Sequence, residues 1–360
     1  MVAGGGSRRL GRVTTTGEAG AAVLALARGL VAGDAAGDRS LPEREVRAHR
    51  LGPLAYRAGC RAYRADYALS SVQAAERAAA LAEAVAVLRR AGVAVAVIKG
   101  AAYAGWLYAD PAERPMSDVD LLVRPRDRRT ALRALAGLGY RPTVQPPLHH
   151  ATALARGRSW IDLHVGIVQP GRTRISTDAV MARARPAAER ADGALRLDPA
   201  DEVLFLMASL MRAELFAPLL AFVDAGRLVR AVGPDAVAEA RARARAYRAR
   251  RGVDAALAMC ARVLGEAWPA GCAAPMPRGV PAPPVGAVAA AVAPGWPQRA
   301  ARRVLLSDGA REAACTAAIS LARVVDRALR ARGGQRAAGR WRRNQRAVAA
   351  KPSRTRTAGS

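Results

Sequence analysis

Two aspartates lie on one face of a segment that otherwise has the pattern of a buried strand. Asp118 and Asp120 alternate with Val119, Leu121 and Val123. Because successive side chains of a strand point to opposite faces, the two carboxylates project together while the apolar side chains pack on the other face. Aspartate is disfavoured in strands, and two neighbouring carboxylates repel each other unless a cation or a proton neutralises them. The pattern therefore favours a hard divalent cation at this strand.

A third aspartate lies in a second strand of the same kind, predicted over residues 160–167. Trp160, Asp162 and His164 share one face of this strand. If the two strands are neighbours, three carboxylates converge. Such a set suits a two-metal site for phosphoryl transfer, because Mg²⁺ prefers a few carboxylates together with phosphate oxygens and water. For His164 four roles stay open: it orients Asp162, binds a metal, contacts the acceptor, or is a hydrogen-bonded histidine at the edge of the site.

A Lys-Gly pair lies between a strand predicted over residues 93–98 and a helix predicted over residues 101–108. A helix N-terminus at Gly100 would present unpaired backbone N–H groups to a phosphate. Lys99 would add a compact ammonium, in a chain with two lysines among its 57 basic residues. Arg114, just before the aspartate pair, is a second candidate for charge on a triphosphate.

The order of elements predicts an α+β fold with a small mixed sheet, flanked by N-terminal and C-terminal helical regions. Alternation and apolar runs predict strands over residues 93–98, 118–123, 140–144, 150–155 and 160–167. Helical periodicity predicts helices over residues 19–31, 71–91, 101–108, 125–138, 202–215, 218–232, 235–264 and 311–331.

These elements divide the chain into seven parts. They are a disordered N-terminus (1–16), a helical region (17–91), the sheet-containing core (92–198), a second helical region (199–268), a Pro-rich linker (269–298), terminal helices (299–332) and a basic disordered tail (333–360).

The net charge of +28 does not by itself identify a partner, because arginine exceeds lysine to the degree that a GC-rich coding sequence produces. After Asp326 the chain has only basic charges, and such a segment could make weak, salt-dependent contact with nucleic acid or an anionic membrane surface. No apolar run has the length of a transmembrane helix or a signal-peptide core, which predicts a cytoplasmic protein. The four cysteines lack metal-ligand spacing and are predicted to be buried thiols.

Several further residues have competing interpretations. His149 and His150 are predicted at a solvent-facing strand start, with contact to an acceptor as the alternative. Asp224 is followed by Arg227 and Arg230 at helical spacing, which predicts a surface or interdomain ion pair. The alternative is that Asp224 lines an acceptor cleft.

The combination of motifs resembles the DNA polymerase beta superfamily of nucleotidyltransferases, and within it a bacterial group of uncharacterised nucleotidyltransferases. The resemblance covers roughly residues 51–269. It is carried by Ile98-Lys99-Gly100, Tyr108, Arg114, Ser117-Asp118-Val119-Asp120-Leu121-Leu122-Val123, Leu138-Gly139-Tyr140 and Ile161-Asp162-Leu163-His164.

The resemblance implies an enzyme that uses Mg²⁺ or Mn²⁺ to transfer a nucleoside monophosphate from a nucleoside triphosphate to an acceptor, which the sequence does not identify. Asp118, Asp120 and Asp162 would be the catalytic and metal-binding residues. Lys99, Gly100, Arg114 and Ser117 would bind the nucleotide phosphates, with His164 beside the acceptor or the metal ligands. One departure is Ala101, which follows Gly100 where the superfamily usually has serine or glycine.

A second hypothesis is a catalytically inactive member of the superfamily that binds nucleic acid or another partner through its basic surface and tail. The two hypotheses differ in which change to the protein should abolish binding. Binding by such a module would survive loss of Asp118 but not removal of the tail.

Overall fold

The structure is a computed structural model that describes residues 16–37, 40–143, 149–188, 190, 192–291 and 295–332. The predicted disordered N-terminus, apart from Thr16, and the predicted basic tail lie outside these residues. The same holds for Val144, at the end of a predicted strand. Contact between the tail and an anionic partner therefore stays a prediction.

Helices make up most of the described chain. They are α1 (Thr16–Ala32), α2 (Glu43–Ala48), α3 (Gly52–Arg57), α4 (Arg64–Arg90), α5 (Gly100–Tyr103), α6 (Arg128–Gly137), α7 (Thr177–Arg183), α8 (Pro199–Arg212), α9 (Leu219–Ala246), α10 (Arg250–Leu264), α11 (Val285–Ala289), α12 (Trp296–Leu305) and α13 (Ala310–Arg332).

One mixed sheet forms the centre of the fold, in the strand order β3-β4-β5-β2-β1-β7-β6. Its strands are β1 (Val95–Ile98), β2 (Val119–Val123), β3 (Arg141–Pro142), β4 (Ala151–Arg156), β5 (Ser159–His164), β6 (Arg185–Pro186) and β7 (Leu195–Arg196). The predicted α+β class is confirmed, with the sheet between an N-terminal and a C-terminal set of helices.

The central strands are buried because helices cover them. All residues of β1 and β2 are buried, which explains their nearly continuous apolar sequence. The long helix α4 packs on β1, β2 and β5. Helix α6 ends as its sequence predicts: Gly139 takes a φ of 88°, which glycine adopts without strain, and Tyr140 donates its N–H to the carbonyl of Leu135.

Several predicted boundaries were wrong. The helix predicted over residues 101–108 is a single turn, α5, because the chain becomes extended at Ala104. The helix predicted over residues 235–264 is interrupted between α9 and α10, where Arg248 has a φ of 52°. The break predicted between residues 232 and 235 is confirmed, because Gly233 has a non-helical φ of 81° and ψ of 173° and divides α9 into two helical parts. Strand β5 ends at His164, three residues earlier than predicted.

The Pro-rich segment predicted as a linker packs on the helical core. Cys272, Val280 and Val288 are buried, and α11 contacts α1. His49 connects this segment to the N-terminal helices, because its Nε2 lies 2.8 Å from the carbonyl oxygen of Ala289. The segment is therefore part of the folded body over its described residues.

The cysteines are free thiols. Cys60, Cys260 and Cys272 are buried and Cys315 is half-buried, close to the prediction of buried thiols. Among the described helices, none is both long and apolar enough to cross a lipid bilayer.

Candidate active site

The pairing of β2 with β5 brings two of the predicted aspartates together. The strands run parallel, and Asp120 is directly opposite Asp162 in their register. Neighbouring strands lie about 4.8 Å apart, so side chains on the same face at paired positions are within contact distance. The side chains of Asp120 and Asp162 therefore lie close together, as the alternation of side chains along the two strands predicted.

His164 completes this group. One ligand atom from each of Asp120, Asp162 and His164 lies within 4.8 Å of the other two. Nε2 of His164 is 2.8 Å from Oδ1 of Asp120, and Nδ1 of His164 is buried without a hydrogen-bond partner among the described residues. Of the roles that the sequence leaves open, a place in a metal-ligand cluster fits this geometry.

Asp118 is not a member of this close group. It is half-buried, and its Oδ1 accepts a hydrogen bond of 3.0 Å from the hydroxyl of Ser117, which is exposed. Its charge still reaches the group, since burial and then the carboxylate of Asp118 raise the pKa of Asp162. Two of the three predicted aspartates thus lie at close range together with His164, and a metal-binding role for Asp118 stays a prediction.

The charges of the three carboxylates are not equally compensated. Burial opposes ionisation of Asp120, but the ammonium of Lys99 and a hydrogen bond with His164 hold its pKa well below the usual range. Burial and the neighbouring aspartates raise the pKa of Asp162 to about 7. Burial and Asp120 likewise raise the pKa of Asp118. The cluster therefore has more negative charge than Lys99 neutralises, and a divalent cation would supply the difference.

The donor set is compatible with the ions that the sequence predicts. Carboxylate oxygens are the protein ligands that Mg²⁺ and Mn²⁺ prefer, and an imidazole nitrogen is accepted by Mn²⁺ and by other first-row metals. His164 can offer nitrogen in its neutral form, because burial and the charge of Lys99 lower its pKa to about 4. The residues present therefore fit Mg²⁺ or Mn²⁺.

Lys99 contacts the aspartate group directly. Its ammonium forms an ion pair with Oδ1 of Asp120 and lies 3.2 Å from Nε2 of His164. Lys99 has a φ of 55°, a left-handed conformation that costs a non-glycine residue about 1–3 kcal/mol. This backbone turns the side chain from the end of β1 toward β2 and β5. In this structure the lysine predicted to hold a phosphate neutralises a metal-ligand candidate.

Gly100 lies where the backbone passes close to other side chains. A Cβ atom at this position would lie 2.9 Å from Cγ of Met116 and would overlap the guanidinium of Arg114. Only glycine fits there without a shift of its neighbours. The helix that begins at Gly100 is the four-residue turn α5, so the full helix N-terminus expected from the sequence is absent at this point.

Arg114 is held by a buried carboxylate from a distant part of the chain. Its Nη2 lies 2.7 Å from Oδ2 of Asp224, and Oδ1 of Asp224 also accepts a hydrogen bond of 2.6 Å from the hydroxyl of Tyr108. The ion pair predicted for Asp224 is therefore present and buried, and its partner is Arg114. Arg227 instead donates to the backbone carbonyls of Leu107 and Leu30.

Three of the four histidines extend outward from the site. The rings of His164 and His150 are 5.1 Å apart, and those of His150 and His149 are 4.4 Å apart. His150 is buried, so the prediction of a solvent-facing strand start was wrong for this residue. The pairing of Ala151 with His164 places His150 beside the site, which the sequence of β4 alone did not indicate.

Comparison with known families identifies the class of protein. Residues 44–265, more than half of the chain, match a family described as "Uncharacterised nucleotidyltransferase". The chain belongs to this nucleotidyltransferase family. The resemblance inferred from the motifs is thereby confirmed, and the matched region includes the sheet, the aspartate cluster and helices α8 to α10.

One solved structure is also similar to this nucleotidyltransferase. It is the solution structure of the antibiotic-resistance factor ANT(2'')-Ia, with 14% sequence identity and a TM-score of 0.35 over 46% of this chain and 88% of that chain. No curated protein matches the sequence.

Proposed function

We propose that this chain is a Mg²⁺- or Mn²⁺-dependent enzyme that transfers a nucleoside monophosphate from a nucleoside triphosphate to a hydroxyl group of an acceptor. The observation that carries the proposal is the group of Asp120, Asp162 and His164, whose ligand atoms lie within 4.8 Å of one another in a member of a nucleotidyltransferase family.

Asp120, Asp162 and Asp118 would hold the metal, with His164 as a further ligand or as a hydrogen-bond partner of Asp120. A bound divalent cation neutralises phosphate charge and so stabilises the entering and leaving oxygens of the transfer. The uncompensated carboxylates support this assignment, since burial and mutual repulsion raise the pKa values of Asp118 and Asp162.

The phosphate side of the site would be formed by Lys99, Gly100, Arg114 and Ser117. The ammonium of Lys99 contacts Asp120 and would pair with a phosphate bound beside this carboxylate. At Gly100 one edge of the Arg114 guanidinium takes the space that a Cβ would fill, while Asp224 binds the other edge. These residues would orient the triphosphate for attack at its α-phosphorus.

Asp162 would either complete the metal site or take the proton of the attacking hydroxyl. Burial and the charges of Asp118 and Asp120 raise its pKa, which makes Asp162 a better proton acceptor than an ordinary aspartate when it does not hold the ion. The acceptor oxygen forms a bond to the α-phosphorus, the bond from that phosphorus to the bridging oxygen breaks, and pyrophosphate leaves.

Isothermal titration with each nucleoside triphosphate, in the presence of Mg²⁺ or Mn²⁺, tests the proposal. The wild type is expected to bind at least one nucleotide only when the ion is present. Asp120→Asn and Asp162→Asn should each weaken this binding by about 10- to 100-fold or more, and Asp118→Asn/Asp120→Asn should abolish it.

Asp178→Asn is the matched control, because Asp178 is an exposed aspartate that lies 3.8 Å from Arg124, away from the cluster. Its nucleotide binding should equal that of the wild type. Binding that is unaffected by the site substitutions, or a wild type that binds no nucleotide with either ion, would contradict the proposal.

A further inference from the structure

Three arginines lie beside the aspartate cluster: Arg172 is buried, and Arg212 and Arg323 are half-buried. Among the described residues, the Nε atoms of Arg172, Arg212 and Arg323 are buried and have no hydrogen-bond partner. Arg172 is 5% exposed, and its one hydrogen bond to a side chain goes from Nη1 to the uncharged amide of Gln169. A buried guanidinium is strongly unfavourable unless an anion pairs with it.

The arginines come from three separate elements that pack together. Arg212 ends α8, Arg323 lies in α13, and Arg172 lies in the segment that follows β5. This segment packs closely on α13, because a Cβ atom at Gly171 would lie 3.1 Å from Sγ of Cys315. The arginines are thus gathered by tertiary structure from positions that are far apart in sequence.

The carboxylate of Glu214 acts on two of these arginines, and that of Asp162 interacts with Arg212. The charge of Glu214 reaches both Arg172 and Arg323. Glu214 is fully buried, lies 2.9 Å from Arg299, and forms a second ion pair with Arg303. Glu214 is thus paired with Arg299 and Arg303, and among the described residues none of Arg172, Arg212 and Arg323 forms an ion pair of its own.

The positive charge of these arginines is not relieved by loss of protons. Burial, followed by the charges of Arg303, Arg323 and Arg212, lowers the pKa of Arg172 to about 10. A guanidinium with this pKa still carries its full charge at neutral pH. The nearby histidines bring no negative charge, since neutral and protonated imidazoles are the two forms available to them.

The arginine group adjoins the candidate active site. The charge of Arg212 acts on Asp162 and His164, and the charges of Arg212 and Arg323 both act on His149. Phe205, on the same face of α8 as Arg212, contacts the ring of His164 edge-on with the ring centroids 6.3 Å apart. The rings of His164, His150 and His149 follow one another at centroid distances of 5.1 Å and 4.4 Å, and the charge of Arg212 acts on all three.

We propose that Arg172, Arg212 and Arg323 form a binding site for a phosphate-bearing ligand next to the aspartate cluster. Three guanidinium groups match a polyanion better than a single carboxylate, and each can donate two hydrogen bonds to one phosphate. The ligand is either the triphosphate of the nucleotide or a phosphate group of the acceptor. The anion site stands on the arginines alone, while its use as a substrate site rests on the proposed function.

Binding of inorganic pyrophosphate, measured by isothermal titration with EDTA present, tests the site without any metal. The wild type is expected to bind pyrophosphate, and Arg212→Gln/Arg323→Gln should lower the affinity by about tenfold or more. Arg129→Gln/Arg133→Gln is the matched control, because it removes the same charge from two exposed positions of α6. Circular dichroism and thermal melting would establish that each variant folds.

Two further variants make the result decisive. Arg212→Lys/Arg323→Lys keeps the positive charge but loses the planar pair of N–H donors of each guanidinium, so it is expected to bind pyrophosphate with intermediate affinity. This variant is measured in place of Arg212→Gln/Arg323→Gln if the glutamine variant does not fold. Asp120→Asn/Asp162→Asn should keep pyrophosphate binding, because it removes repelling charge. A wild type that binds no pyrophosphate, or an Arg212→Gln/Arg323→Gln variant that binds as the exposed control does, would overturn the proposal.

Nucleotide titration with Mg²⁺ then separates the two sources of phosphate. If the nucleotide triphosphate occupies the site, Arg212→Gln/Arg323→Gln weakens nucleotide binding as much as pyrophosphate binding. If the acceptor carries the phosphate, nucleotide affinity is unchanged in this variant. Failure of the proposed function would have a different result, in which the wild type binds pyrophosphate but no nucleotide.

Discussion

The ammonium of Lys99 and the carboxylate of Asp120 form an ion pair at the point where β1 and β2 meet. Ile98 is the register partner of Asp120, so the residue that follows β1 is next to the aspartate. Lys99 thus contributes positive charge at the position where a metal ion would bind, and a cation and Lys99 compete for the same carboxylate oxygen.

Removal of this competing charge is expected to strengthen metal binding and weaken nucleotide binding. In Lys99→Met, affinity for Mn²⁺ should rise by roughly three- to tenfold, because Asp120 loses its resident cation. Affinity for the nucleoside triphosphate should fall, since a phosphate loses its ammonium partner. Titration with Mn²⁺ alone and then with nucleotide measures both effects.

Lys99→Arg keeps the positive charge and is the control. Mn²⁺ binding that is weaker in Lys99→Met than in the wild type would contradict this role for Lys99.

The buried ion pair between Arg114 and Asp224 is expected to be essential for stability. Asp224→Asn leaves the guanidinium of Arg114 without its countercharge in a buried position, which costs about 3–5 kcal/mol of unfolding free energy. The double variant Arg114→Met/Asp224→Asn should lose less unfolding free energy than the sum of the losses in Arg114→Met and Asp224→Asn. Urea denaturation measures the three variants. Glu43→Gln, which breaks the exposed pair between Glu43 and Arg47, is the control and should cost about 0–1 kcal/mol. Equal losses for Asp224→Asn and Glu43→Gln would contradict the burial of the pair.

A methyl group at Gly100 is expected to damage the site. In Gly100→Ala the new Cβ would meet Met116 and the guanidinium of Arg114, which should cost about 1–3 kcal/mol of stability and lower nucleotide affinity. Gly137→Ala is the control, since no atom lies within 4 Å of a Cβ at that helical position. The control should be neutral or more stable by about 0.5–1 kcal/mol. Thermal melting and nucleotide titration compare the two, and similar effects would show that Gly100 is not constrained by its neighbours.

Stability is expected to fall in mild acid through His49. Its Nδ1 accepts the backbone N–H of Leu219 at 3.1 Å, so the proton is on Nε2, which donates to Ala289 at 2.8 Å. Burial lowers the pKa of His49 below the usual histidine value of 6.5, although the Ala289 carbonyl and Glu45 oppose this shift. Because the folded protein holds the neutral form, this contribution is complete above pH 6.5 and is lost as the pH falls from 6.5 through the folded pKa.

The measurement is the unfolding free energy of the wild type and of His49→Gln at a series of pH values between 7.5 and 5. The wild type should lose up to about 1.4 kcal/mol more per pH unit than the variant below pH 6.5, because the other histidines titrate in both proteins. Parallel pH profiles would show that His49 is not held in its neutral form.

Much of the site could be predicted from local sequence. The alternation of polar and apolar residues in β2 and β5 predicted the face of each strand from which Asp120 and Asp162 project. Helical periodicity predicted most of the helices around the sheet. These features depend on the few residues before and after each position, because a strand repeats every two residues and a helix every 3.6.

The sequence by itself determined the class of fold, the strands that carry the aspartates and the turn at Gly100. Tertiary structure decided the contacts of those residues: Lys99 binds Asp120, His164 joins Asp120 and Asp162, and Arg114 pairs with Asp224 across 110 positions of sequence. It also gathered Arg172, Arg212 and Arg323. The periodicity of an element determines the face from which a side chain projects. The partner that the side chain meets depends on which distant element covers that face, and this is decided by the packing of the whole core.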